Sequence, residues 1–145
     1  MAGVKLTCPD CDQGNRVPAD KLNAGPRCGT CGAPLMWDKP KEVTFDWLQK
    51  AAARDEVPLV VDFWAAWCGP CRMMAPEFAK AAGTAKGQAR FVKLDTEAFP
   101  QAGARYGIRG IPLLMAFRGG REVARQAGAV PAPAILDWLK GAEAL

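Results

Sequence analysis

The 145-residue chain contains no histidine. That excludes any mechanism with an imidazole base, and any metal site must be built from sulfur or carboxylate. No apolar run approaches the length needed to cross a bilayer. The opening residues, Met1 to Leu6, lack the charged-then-apolar pattern of a secretory leader. A cytoplasmic protein that engages no membrane is therefore expected. No flavin- or nucleotide-binding motif is present, and the cysteine pairs are the only internal repetition. The net charge is +4, yet residues 1–38 carry four basic and four acidic side chains, so the whole excess lies beyond them. A neutral amino-terminal segment argues against a nucleic-acid-binding arm.

Six cysteines are present, in three Cys-x-x-Cys pairs: Cys8/Cys11, Cys28/Cys31 and Cys68/Cys71. In a reducing compartment such pairs bind metal or perform redox chemistry rather than frame a fold. The first two pairs are separated by 16 residues, the spacing of a tetrahedral four-cysteine zinc site. Gly29 and Gly32 permit tight turns that aim backbone N–H groups at thiolate sulfur. Four thiolates around a divalent ion leave net negative charge, so those donors matter. Residues 1–38 are too short to fold on a hydrophobic core alone, and bound zinc would supply the missing folding energy. Two disulfides are the alternative. Lys39-Pro40-Lys41 marks the boundary, giving a small zinc-ribbon-like domain over 1–38 and a second domain over 39–145.

The second domain has clear periodicities. Phe45, Leu48 and Ala52 have helical spacing, and Pro58 ends that helix. Leu59 to Trp64 reads as a buried strand. A helix from about Cys71 to Ala82 is expected to kink at Pro76. Phe91–Leu94 is a second strand and Phe99–Arg105 a short helix. Pro112–Phe117 is a third strand, turned by Gly119-Gly120 into a fourth, Glu122–Ala127. Pro131–Leu145 closes the chain as a helix with Ile135, Trp138 and Leu139 on one face. This is an α/β layer fold, a mixed central sheet flanked by helices on both faces.

Cys68 follows the buried strand and opens a helix, where free N–H groups and the helix dipole favour a thiolate. Cys71 lies one turn on, close enough to bridge to it. Gly69 removes bulk between the sulfurs, and Pro70 costs no hydrogen bond in a first turn. Trp67 offers a flat apolar contact to a protein partner. Cys68 would attack a substrate disulfide, and Cys71 would resolve the mixed disulfide.

The segment Phe63-Trp64-Ala65-Ala66-Trp67-Cys68-Gly69-Pro70-Cys71 resembles the active site of the thioredoxin family, over about residues 40–145. The resemblance implies a thioredoxin fold and protein-disulfide reductase activity. It gives Asp62, within Val60-Val61-Asp62-Phe63, the part of a buried carboxyl that exchanges a proton with Cys71. Lys93 matches a lysine that family members place near that carboxyl. Pro112 matches a cis proline packed against the cysteines, leaving the Ile111 backbone free to hold substrate as a strand. Gly128 and Ala129 would form the other wall of the groove. Leu113 departs from the family, which commonly has threonine there. With its amino-terminal cysteines the whole chain is similar to the bacterial thioredoxin-2 type. An NADPH-dependent thioredoxin reductase as electron donor, oxidised proteins as substrates and a monomeric state follow from the resemblance.

Two other readings compete. One is an oxidase or isomerase, although such enzymes tend to place histidine between the cysteines. The other is a zinc-ribbon interaction module on a redox-inactive scaffold. Metal analysis of the reduced chain is expected to find one zinc, with only Cys68 and Cys71 reacting as free thiols under native conditions. Absence of zinc together with four further reactive thiols would overturn the metal assignment.

Overall fold

In the computed structural model, which describes residues 3–145, the amino-terminal segment carries a two-stranded antiparallel sheet, β1 (Val4–Thr7) and β2 (Gly14–Val17). One 3-10 turn follows at Ala19–Lys21. The remainder forms β3 (Lys41–Glu42), α1 (Phe45–Arg54), β4 (Leu59–Trp64), α2 (Gly69–Thr84), β5 (Arg90–Asp95), α3 (Gln101–Tyr106), β6 (Leu113–Arg118), β7 (Arg121–Ala127) and α4 (Ala132–Gly141). The five-stranded sheet has the order β3-β5-β4-β6-β7. β3, β5 and β4 are parallel to one another, β6 runs against them, and β7, antiparallel to β6, returns to their direction.

Alternation along the strands divides the core into two layers. Val61 and Phe63 of β4, Val92 and Leu94 of β5 and Met115 and Phe117 of β6 face α1 and α3, meeting Leu48, Ala51, Ala102 and Tyr106. Val60, Phe91, Leu114 and Ala116 face α2 and α4, meeting Met74, Phe78, Ile135 and Leu139. The apolar run of β4, interrupted only by Asp62, follows from burial on both faces.

Several boundaries differ from expectation for physical reasons. α2 begins at Gly69 rather than Cys71, because the Cys68 side chain accepts the Cys71 N–H and caps the helix. It runs unbroken through Pro76, the position of the expected kink. The third strand begins at Leu113, not Pro112, since proline has no N–H for the ladder. The short helix starts at Gln101 rather than Phe99. The final helix stops at Gly141, and Glu143 turns back in the left-handed region at φ 57°. β1, β2 and β3 were not expected at all.

Phe78 is fully buried on α2, with its ring centroid 4.9 Å from that of Phe91 on the sheet. Phe78→Ala is expected to lower unfolding stability by about 3–5 kcal/mol in urea titrations of the full chain.

Candidate redox and metal sites

The first site lies where the central strand ends. β4 delivers the chain to Trp67 and Cys68, and α2 carries Cys71 on its first turn. Cys68 and Cys71 are joined as a disulfide, with Cα atoms 5.2 Å apart. Cys71 N donates to Cys68 Sγ at 3.1 Å, which aims the helix start at the sulfur. Both cysteines are buried against Ala65, Trp64 and Ile111. Trp67 beside them is 65% exposed and Met73 is 74% exposed, the two large apolar side chains that face solvent most openly among the described residues.

The segment before β6 closes the site from the other side. The Ile111–Pro112 peptide bond is cis. The Ile111 carbonyl oxygen lies 3.7 Å from Cys68 Sγ. Gly128 N donates to Pro112 O at 3.0 Å, tying the end of β7 to the same loop, and its φ of 87° suits glycine. Two hollows flank Ile111. One, of about 440 Å³, runs past Pro112 to Gly128. The other, of about 480 Å³, is walled by Trp67, Thr96 and Pro100. Leu113 lines the first hollow; Ala129 is exposed next to Gly128 without lining it.

Asp62 sits on β4, on the face that packs against α2, and is fully buried. Neither carboxylate oxygen has a hydrogen-bond partner among the described residues. Burial raises its carboxyl to about 7, with Lys93 opposing the rise and Glu42 adding to it. Lys93 stands beside Asp62 in the parallel register. Its ammonium lies 4.8 Å from the centre of the Trp64 ring and forms no ion pair with Asp62 among the described residues.

The second site is the group of amino-terminal cysteines. The sulfurs of Cys8, Cys11, Cys28 and Cys31 all lie within 4.8 Å of one another. Cys8 and Cys31 sulfurs are 3.5 Å apart, those of Cys11 and Cys28 3.7 Å. Tetrahedral zinc–sulfur bonds of about 2.3 Å require sulfur separations of about 3.8 Å, so the donor set fits such an ion. The two loops repeat one design. Cys8 N donates to Gln13 O and Asp12 N to Cys8 O; Cys28 N donates to Ala33 O and Gly32 N to Cys28 O. Gly32 takes the left-handed turn at φ 81°, and Asp12 takes its counterpart at φ 66°.

Backbone N–H groups of Asp10 and Cys11 point at Cys8 Sγ. Thr30 N and the Asn15 amide point at Cys28 Sγ. The Cys31 backbone N–H, with Asn15 next, lowers the Cys28 thiol to about 6. Cys11 stands at about 12: the Gln13 backbone contact lowers it, but burial and the neighbouring thiols outweigh that. Burial and the neighbouring thiols thus oppose ionisation of Cys11, and a divalent cation among the sulfurs would favour the thiolate forms.

The metal-fitting segment is fixed to the larger unit by buried polar contacts that the sequence reading missed. Arg90, fully buried, pairs with Asp55 and donates to Thr7 O at 2.7 Å. Its guanidinium lies 4.7 Å from the Trp37 ring centre and 5.4 Å from that of Trp47. Trp47 Nε1 donates to Cys8 O at 2.9 Å. Lys50 pairs with Asp12 at 2.7 Å, which accounts for aspartate at that left-handed position. These contacts gather where β5 begins, at the end of the sheet away from the disulfide. A charge directly before an apolar strand, as in Ala89-Arg90-Phe91, was the available signal.

A cysteine pair capping a helix after a central strand, opposite a cis-proline loop, is the arrangement of a thiol–disulfide oxidoreductase. The chain belongs to the thioredoxin family: the family model described as Thioredoxin matches residues 40–141, and the one described as Thioredoxin 2, N-terminal, a zinc ribbon, matches residues 7–33. Thioredoxin C-3 of Corynebacterium nephridii is 38% identical over 134 residues, covering 92% of each chain. The chloroplastic M-type thioredoxin of Chlamydomonas reinhardtii is 43% identical, over 86% of this chain and 91% of that one. Among solved structures, chloroplastic thioredoxin z aligns with a TM-score of 0.66 at 30% identity, over 76% of this chain and 99% of that one. Among the described residues no helix is long and apolar enough to cross a membrane.

Burial of Asp62 has a consequence for stability. With its carboxyl raised to about 7, the native chain holds a proton that the unfolded chain releases near pH 4. Stability contributed at this position therefore falls as pH rises from about 4 through 7. Asp62→Asn is expected to be more stable than the parent above pH 7, by up to roughly 4 kcal/mol, and nearly equal to it at pH 4. Urea unfolding across that range checks this; a constant difference would refute it.

Proposed function

We propose that the chain is a protein-disulfide reductase of the thioredoxin type in which Cys68 attacks and Cys71 resolves. The observation that carries the reading is the Cys68–Cys71 pair at the start of α2, with Cys68 Sγ facing the Ile111 carbonyl. In the reduced state the Cys68 thiolate attacks one sulfur of a substrate disulfide. A new sulfur–sulfur bond forms, and the other substrate sulfur leaves as a thiolate that takes up a proton. Asp62 accepts the proton of Cys71, and the Cys71 thiolate attacks Cys68 Sγ. The mixed disulfide breaks, the second substrate thiol departs, and the internal disulfide remains. Two electrons have passed to the substrate. Lys93 tempers the charge on Asp62, and Gly69 and Pro70 keep the pair compact.

Substrate lies across Trp67, Ile111, Pro112, Gly128 and Ala129 as an extended segment. An NADPH-dependent thioredoxin reductase returns the electrons, a partner proposed from family membership. The Gly69-Pro70 pair between the cysteines supports reduction over oxidation or isomerisation. We also assign Cys8, Cys11, Cys28 and Cys31 to one structural zinc ion, in a domain over 1–38 preceding the domain over 39–145. Release of that zinc on thiol oxidation would give the domain a regulatory role. A cytoplasmic monomer fits this reading: the exposed β7 edge carries Arg121, Glu122 and Arg125, which discourages pairing between copies.

Insulin-disulfide reduction with a chemical dithiol as donor tests the assignment. Cys68→Ser is expected to lose activity at least about a thousandfold, while Cys71→Ser accumulates a mixed disulfide with substrate. Unchanged turnover in Cys68→Ser would sink the proposal.

A further inference from the structure

The two hollows beside the disulfide are walled by apolar side chains and by backbone. The first contains two charged residues, Arg109 and Arg125; the second contains Arg109 alone. Arg125 is committed, forming an ion pair with Glu122 and donating to the Tyr106 and Gly107 carbonyls. Arg109 is exposed, and its guanidinium has no ion-pair or hydrogen-bond partner among the described residues. It stands two residues before Ile111, whose carbonyl faces the Cys68 sulfur. Among the described residues no carboxylate lines either hollow; Glu97 stands one residue beyond Thr96, outside the lining. Arg72, next to Cys71 in the chain, is a second exposed cation, its guanidinium hydrogen-bonded to the Ala66 carbonyl.

An uncommitted guanidinium set in a neutral, apolar groove is a selector of charge. A substrate segment lying over Ile111 places its neighbouring side chains in the two hollows, because an extended chain alternates its sides. A carboxylate there meets a planar donor fork with no competing partner. A lysine there meets like charge and has nothing to pair with. We infer that Arg109 is a specificity-determining residue, and that the groove selects disulfides whose cysteine is followed or preceded, within about two residues, by aspartate or glutamate. This inference rests on the reductase reading of the same site.

The experiment uses the full chain and two model peptides that differ only in a glutamate or a lysine two residues from the disulfide-bonded cysteine. The wild-type chain is expected to reduce the glutamate peptide with a kcat/KM about fivefold higher, a preference that shrinks in high salt. Arg109→Gln removes the preference, Arg109→Glu reverses it, and Arg109→Lys restores part of it. Because Arg109 is exposed and unpaired, these variants keep the fold, and the ratio between peptides is unaffected by any uniform loss of activity. Equal kcat/KM for both peptides with wild type, or an unaltered preference in Arg109→Gln, would overturn the inference while leaving the reductase reading intact. Failure of the wild-type chain to reduce either peptide would overturn both.

Discussion

Strand β4 is hydrogen-bonded on both edges, parallel to β5 and antiparallel to β6. Both of its faces are buried. A slip of one residue would drive Val61 and Phe63 into the opposite layer and carry Asp62 away from α2. The core therefore fixes the register, and the register fixes the site. Where β4 ends, the chain reaches Cys68; where its neighbour β6 begins, the chain has just left Ile111 and Pro112. Forty-three positions separate Cys68 from Ile111, yet strand adjacency brings their atoms within 3.7 Å.

The metal-fitting segment depends on the same sheet at its opposite end. Arg90 opens β5 and reaches into that segment, held between two tryptophan rings and balanced by Asp55. A buried ion pair of this kind adds little net stability, because desolvation offsets attraction. Its larger effect is orientation. With Trp47 on Cys8 O and Lys50 on Asp12, it fixes the first cysteine loop to α1. The second loop, around Cys28 and Cys31, has no hydrogen bond to the helices or large sheet among the described residues and is held by Asn15 and the sulfur cluster.

Much of this was legible in the residues. The bounds of β4 were read as they stand, since an apolar β-branched run leaves little choice. The cysteine pairs declared themselves by spacing, whereas Asp62, a charge inside an apolar run, took its role from the resemblance to the thioredoxin family. The hairpin of β1 and β2 was not legible, because four-residue strands with Lys5 and Arg16 among them carry too little alternation. β3 is two residues of edge strand that exist only because β5 is there to pair with. Arg90 and Arg109 look alike in sequence, each a basic residue near an apolar stretch. Tertiary packing alone makes one a buried tie and leaves the other in solvent.

The placement of the two sulfur sets at opposite ends of the sheet has a chemical outcome of its own. β4 and β5 run side by side for six residues, from Leu59 and Arg90 to Trp64 and Asp95, a span of about 16 Å. A disulfide needs Cα atoms within about 7 Å. The folded chain therefore cannot pass oxidation from Cys68 and Cys71 to the four amino-terminal cysteines. Each set meets oxidants and reductants of the surroundings separately, so one molecule carries two thiol systems that are kinetically insulated from each other.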